Sequence, residues 1–226
     1  MADGRLIEPA VFQNRPWFKP WGMWAEAVLM DWVKQPEALH NCLAAQQNRF
    51  HAVAQSCLPD DEAYEAFIYR TQTVPTRNNA HDFFNGLCWL RFPQTKQVLN
   101  RLQAQAIAQQ GVTAQRGALR DALTLFDENA ALLCAPEQLW DALLAQDWQS
   151  LFVTYRKAWQ DAHLTLFGHA LLEKLLTPYK SITAHVLCLP VPPEVQGGAM
   201  KPWTTGCHGI LNRNLFKPNP LYPYPC

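Results

Sequence analysis

The feature that most constrains this sequence is a stretch that follows Asn79. Phe83, Phe84 and Leu87 surround its axis in a helical projection, so the stretch is apolar on nearly every side. A helix that is apolar all round is buried inside a fold. Asn79 is a typical helix cap, and Pro93 ends or bends a helix. The segment therefore predicts a globular protein built around a buried helix between these two residues.

Most of the other apolar residues also recur at helical spacing. The chain has 226 residues, of which 49% are hydrophobic. A chain of this length buries roughly 70% of the surface that it exposes when unfolded, so it needs no disulfide or metal to stay folded. The sequence predicts a mainly α single domain over residues 1–226, with its core at about 24–190. Helices are predicted over residues 24–48 with a break at Pro36, and over 119–133, 139–159 and 161–176. Residues 95–110 are predicted to form a further, polar helix.

Strand and loop signals complete the predicted fold. Residues 49–55 and 64–74 alternate and contain β-branched and aromatic side chains, which predicts a small antiparallel β element. Residues 181–189 predict one more short strand. Nine of the 17 prolines fall between Pro178 and Pro225, which favours an irregular Pro-rich tail at 191–226 that packs on the surface. The predicted class is α+β with helices dominant.

Charge and cysteine usage exclude several classes of partner. The 19 basic residues balance the 19 acidic ones, so no field draws the protein to nucleic acid or to an anionic membrane. The first residues lack the apolar core of a secretory signal, and no apolar run reaches membrane-spanning length. The seven cysteines are dispersed, which is typical of reduced thiols. We expect a cytoplasmic protein that binds neither nucleic acid nor a membrane, and the oligomeric state stays open.

Three polar residues, His81, Asp82 and Asn85, fall on the buried helix. His81 and Asn85 lie one turn apart, and a buried polar group without a partner costs about 1–3 kcal/mol. His81 is in the first turn, where the helix dipole favours the neutral imidazole that a base or metal ligand requires. The same residues fit a core network that is only structural. Arg77, just before the helix, is a candidate to hold an anion.

Two further places concentrate ionisable groups. Asp127 and Glu128 follow an apolar run directly, and neighbouring carboxylates bind hard metals or divide acid and base roles. An exposed helix face would look the same. His169 and Glu173 are four residues apart and share a helix side, and Lys180 and His185 follow closely. This density of ionisable groups fits an anion pocket.

Several distinctive strings occur along the chain. They are Val74-Pro75-Thr76-Arg77, His81-Asp82-Phe83-Phe84-Asn85, Arg116-Gly117 with the run from Leu119 to Asn129, Phe167-Gly168-His169 with the run to Lys174, Pro178-Tyr179-Lys180, and Thr183-Ala184-His185. In these strings the chain resembles a known bacterial family, the domain of unknown function 3025. The likeness covers about residues 45–190, and it implies a bacterial, cytoplasmic protein. The resemblance supplies no activity and no catalytic residue.

Two functional hypotheses follow. The first is a small-molecule enzyme of the hydrolase type that acts on an anionic ligand, with a divalent metal as a candidate cofactor whose ligands stay unknown. Its candidate catalytic residues are His81, Asp127, Glu128 and His169. Its candidate substrate-binding residues are Arg77, Asn85, Lys180 and His185. The alternative is a non-catalytic binding or assembly module, in which the buried polar residues are structural.

Overall fold

A computed structural model of the chain describes residues 7–46, 50–110 and 117–189. These residues form two compact units, and Glu128 is the first residue of the second one. The described chain is mainly helical and contains two small sheets, which confirms the predicted mainly α class. The prediction of a single domain stays a prediction, and the predicted Pro-rich tail at 191–226 lies outside the described residues.

The first unit begins with three helices. They are α1 (Ala10–Asn14), α2 (Gly22–Lys34) and α3 (Leu39–Ala44), so the predicted break at Pro36 is confirmed. Three aromatic side chains before α2, those of Phe12, Phe18 and Trp21, belong to the core. Phe18, for example, is fully buried and stacks on the ring of Phe84.

A parallel strand pair follows. Strands β1 (His51–Ala54) and β2 (Thr73–Thr76) pair in parallel and are connected through α4 (Tyr64–Thr71). The predicted antiparallel pair at 49–55 and 64–74 is therefore wrong. Phe67 and Ile68 are the buried residues of α4, and together with Tyr64 they have the spacing of one helix face. That helix supplies the crossover that two parallel strands require.

The buried helix of the sequence analysis is α5 (Ala80–Arg91). Its N-terminus is capped as predicted, because the Asn79 side chain accepts a hydrogen bond from the backbone N–H of Asp82 at 2.7 Å. Every residue from Asp82 to Leu90 is buried. Helices α6 (Pro93–Gln110) and α7 (Ala118–Asn129) follow. The predicted burial of the helix that follows Asn79 is therefore confirmed for α5.

The second unit contains a three-stranded sheet with helices around it. Its elements are β3 (Ala130–Cys134), α8 (Glu137–Leu144), β4 (His163–Leu166), α9 (His169–Lys174) and β5 (His185–Leu189). The strand order is β4-β3-β5, with β3 antiparallel to β4 and parallel to β5. A small core forms where β3 meets α8.

Three of the predicted helices in this region are partly wrong. The helix expected over 119–133 ends at Asn129, because the apolar run that follows is the fully buried strand β3. The helix expected over 139–159 is interrupted, because Ser150–Thr154 forms a π-helical turn. Phe152 within this turn and Trp148 just before it are both exposed. The helix expected over 161–176 is replaced by β4 and the short α9. The strand expected within 181–189 is confirmed as β5.

No helix among the described residues is long and apolar enough to cross a membrane.

Candidate functional site

The first polar grouping lies in the first unit and is centred on Lys96. This side chain is at the start of α6 and is only 5% exposed. Its ammonium group donates to both carboxylate oxygens of Asp127, at 2.6 and 2.8 Å, and to the amide oxygen of Asn85 at 2.8 Å. Asn85 in turn donates to the hydroxyl of Tyr64 at 3.3 Å. We call Tyr64, Asn85, Lys96 and Asp127 the Lys96 network.

The ammonium group of Lys96 is fully satisfied in this network. An ammonium group has three N–H donors, and all three have acceptors here. The ring of Trp89 adds a cation–π contact, with its centroid 5.5 Å from the nitrogen. A buried charge is tolerated when it is paired and hydrogen-bonded in this way. The network therefore neutralises Lys96 without leaving a donor for a ligand.

Two other residues near Lys96, Tyr64 and Cys88, stay uncharged. Burial and the nearby carboxylates of Glu65, Asp82 and Asp127 raise the pKa of Tyr64 well above its usual value. Burial also raises the pKa of the Cys88 thiol to about 12, against an opposing effect of the Lys96 ammonium. Neither group is therefore ionised near neutral pH, so neither is available as a phenolate or thiolate.

Arg77 forms an ion pair with Asp82 at the N-terminal end of α5. Its guanidinium donates to Asp82 at 2.8 and 3.1 Å, and its backbone N–H donates to the same carboxylate at 2.7 Å. Asp82 is buried whereas the Arg77 side chain is 57% exposed. The pair therefore fixes the turn that leads into α5. His81 lies next to it in the first turn of α5 and is half-buried.

The second polar grouping lies at one end of the sheet in the second unit. Ala130, the first residue of β3, is aligned with His185 of β5, and its carbonyl accepts hydrogen bonds from the backbone N–H groups of Phe167 and Gly168. Three distant segments thus meet at this end. We call their polar residues, with the glycine that lets them approach, the sheet-end cluster. Its members are Glu128, Asn129, Gly168, His169 and His185.

Gly168 allows the close approach of these segments. A Cβ atom at this position would lie 2.5 Å from the backbone nitrogen of Asn129 and 2.6 Å from its Cα. These are backbone atoms and cannot move aside like the end of a flexible side chain. Only glycine fits there without displacing the chain. The buried His169 follows directly as the first residue of α9.

Asn129 links the two outer parts of the cluster. Its amide nitrogen is 3.3 Å from the carbonyl oxygen of Thr183 and 3.2 Å from Nδ1 of His185. Its amide oxygen is buried and has no hydrogen-bond partner within the described ranges. His185 and Glu128 are exposed, and so is Lys180 in the turn before β5. The cluster therefore combines the imidazole of His185, which is hydrogen-bonded to Asn129, with ionisable side chains that are exposed to solvent.

The described residues contain no group of three or more His, Cys, Asp or Glu side chains arranged to hold a metal ion.

Comparison with known families decides the membership of this chain. The family model described as "Protein of unknown function (DUF3025)" matches residues 50–225. The chain belongs to the DUF3025 family. No curated protein and no solved structure matches the chain. DUF3025 membership thus confirms the resemblance given above and leaves function to be argued from the residues.

The predicted site residues of this DUF3025 chain fall into two groups. Asn85 and Asp127 are brought together through Lys96, with His81 and Arg77 at the start of the same helix as Asn85. Glu128, His169 and His185 belong to the sheet-end cluster, and Lys180 lies in the turn before it.

Sequence reasoning missed Lys96, the centre of the first grouping. Lys96, Asn100 and Gln103 are all buried on α6, which the sequence indicated only as a polar helix. Their spacing of four and three residues places them on one helix face, together with Ile107. That shared face was the available signal. It shows that a helix can have a polar composition and still be buried on one side.

The predicted site residues also left out Asn129 and Tyr64. Asn129 stood in the string that carried the family resemblance, but its role depends on the pairing of β3 with β5. Tyr64 was placed in a predicted strand rather than in α4. No sequence signal gives either contact, because both partners are distant in the chain.

Proposed function

We propose that this DUF3025 protein is a small-molecule enzyme of the hydrolase type that binds an anionic substrate at the sheet-end cluster. The single observation that carries the proposal is the hydrogen bond between Asn129 and the exposed imidazole of His185. Catalytic imidazoles in enzymes are commonly oriented by a second side chain that bonds to the other ring nitrogen. The cytoplasmic location predicted from the sequence belongs to this proposal.

The cluster contains the groups that hydrolysis needs. We assign Glu128 as the general base that takes a proton from water, while the water oxygen bonds to the electrophilic centre of the substrate. His185 donates a hydrogen bond to the negative oxygen that develops there, and Lys180 adds a positive charge. The bond to the leaving group then breaks, and the leaving group takes up the proton that Glu128 received from the water. His169 supports the cluster from its buried side.

Residues of the Lys96 network have a different role in this proposal. All donors of Lys96 are used within the protein, and the raised pKa values keep Tyr64 and Cys88 protonated. We therefore assign Asn85 and Asp127 to stabilisation of the fold. The Arg77–Asp82 pair has the same role at the start of α5.

The proposal is tested with matched pairs of variants. Glu128→Gln and His185→Gln remove the proposed chemistry, and we expect each to lower kcat/KM about 100-fold or more against chromogenic phosphate monoesters. Glu137 and His163 are exposed residues of the same unit at the opposite end of β3, so Glu137→Gln and His163→Gln are the controls. These controls should change kcat/KM less than twofold. Equal losses in variants and controls would refute the assignment.

A second candidate is a non-catalytic binding or assembly module. The observation that favours it is the saturation of Lys96, which is what a purely structural polar network requires. This candidate predicts that the wild-type protein hydrolyses none of the esters above the rate of the buffer. It is rejected if the wild type turns over an ester and Glu128→Gln does not.

A further inference from the structure

The orientation of the Asn129 amide is fixed by a backbone carbonyl. The amide nitrogen lies 3.3 Å from the carbonyl oxygen of Thr183, and a carbonyl oxygen can only accept. If the amide were turned over, two oxygens would face each other. The NH₂ group must therefore point at Thr183, and the same nitrogen lies 3.2 Å from Nδ1 of His185.

This orientation determines where the proton of His185 sits. The NH₂ group is only a donor, so Nδ1 of His185 must accept from it. In a neutral imidazole one ring nitrogen accepts and the other carries the proton. The ring of His185 then carries its proton on Nε2.

We infer that Asn129 is a positioning residue that holds His185 in the Nε2–H form, so that the ring offers an N–H donor to an oxyanion of a phosphate or carboxylate ligand. The inference rests on the proposed function for the ligand, although the proton position follows from geometry alone. The register of the sheet, in which Ala130 of β3 is paired with His185 of β5, places the side chain of Asn129 next to that of His185. A slip of one residue along β5 would turn the imidazole to the other face of the sheet.

The tautomer is measured directly by long-range ¹H–¹⁵N NMR of the full-length protein with labelled histidine. We expect the ring of wild-type His185 to show the Nε2–H pattern. In Asn129→Asp the carboxylate can only accept, so the proton of His185 should move to Nδ1. His163, which is exposed on β4 at the other end of the sheet, is the internal reference and should not change.

Either of two results overturns the positioning role. One is an Nδ1–H pattern for His185 in the wild type, a measurement that needs no variant to fold. The other is an unchanged Nε2–H pattern in a folded Asn129→Asp protein. If Asn129→Asp does not fold, Asn129→Ala serves instead, and His185 should then show the same mixture of tautomers as His163.

A titration with inorganic phosphate tests the ligand separately. In the wild type, phosphate should shift the Nε2 resonance of His185 in a saturable way. Asn129→Asp should weaken this binding at least about tenfold, because the donor is lost. His163→Gln should bind as the wild type does. An Nε2–H ring that does not respond to phosphate would refute the ligand and leave the positioning role standing. Loss of ester hydrolysis alone bears only on the proposed function.

Discussion

The ammonium group of Lys96 is buried away from water, so the stability of the folded protein depends on the carboxylate of Asp127 that pairs with it. The Lys96 side chain is 5% exposed, whereas that of Asp127 is 19% exposed. Removing one partner of a buried pair leaves the other charge uncompensated. The carboxylate can regain some water when Lys96 is lost, but the ammonium cannot when Asp127 is lost. The two single substitutions should therefore differ in cost.

We expect Asp127→Asn to lower the free energy of unfolding by about 3–5 kcal/mol, and Lys96→Met to lower it by less. The double variant Lys96→Met with Asp127→Leu should cost less than Asp127→Asn alone, because no charge remains buried. Urea denaturation measures all three. The exposed pair of Arg70 and Glu62 is the control, and Arg70→Met should change stability little. A double variant as unstable as the sum of the singles would contradict the argument.

Single residues show what the sequence could and could not predict. The cap at Asn79 and the burial of Asn85 followed from local pattern, because capping and helical spacing depend on neighbours in the chain. The partner of Asn85 did not follow. Lys96 is eleven residues away on another helix, and Asp127 is a further thirty-one residues on. Only the packing of α5, α6 and α7 brings them together.

At the scale of elements, two of the mistaken assignments have a clear physical cause. Short apolar runs do not distinguish a buried strand from a buried helix, since neither shows a polar side. Residues 130–134 are such a run, and all five are buried in β3. Tyr64–Thr71 failed in the opposite direction, since its aromatic and β-branched residues favoured a strand although Phe67 and Ile68 lie on one helix face. Helix α5 was predicted correctly because several of its turns repeat the same pattern.

The approach of α9 to the end of α7 depends on Gly168. We expect Gly168→Ala to lower the free energy of unfolding by about 1–3 kcal/mol, because its Cβ would meet rigid backbone at Asn129. Thermal or urea denaturation measures the effect. Gly22→Ala is the matched control, since the nearest atom to its Cβ would be the carboxylate oxygen of Glu26 at 3.8 Å. That control should be neutral or slightly stabilising. A Gly168→Ala protein as stable as the wild type would contradict the close approach.

At the scale of the whole molecule, the buried cysteines make the free energy of unfolding fall at alkaline pH. Five cysteines of the described residues are free thiols, and burial raises the pKa of four of them, Cys42, Cys88, Cys134 and Cys188. Cys88 is the extreme case, with a pKa of about 12 against 9.0 for an ordinary thiol. A raised pKa means that the folded state keeps a proton which the unfolded chain has already lost. Stability is then complete below pH 9 and falls as the pH rises above it.

We therefore expect the free energy of unfolding to decrease above pH 9, with Cys88 contributing at most about 1.4 kcal/mol per pH unit until its folded pKa near 12. Urea denaturation between pH 8 and pH 10 measures the slope. Cys88→Ala should be less stable at every pH because packing is lost, but its slope should be shallower, since one of the raised thiols is gone. If Cys88→Ala and the wild type lose stability in parallel as the pH rises, the Cys88 thiol does not hold its proton in the folded protein as its burial requires.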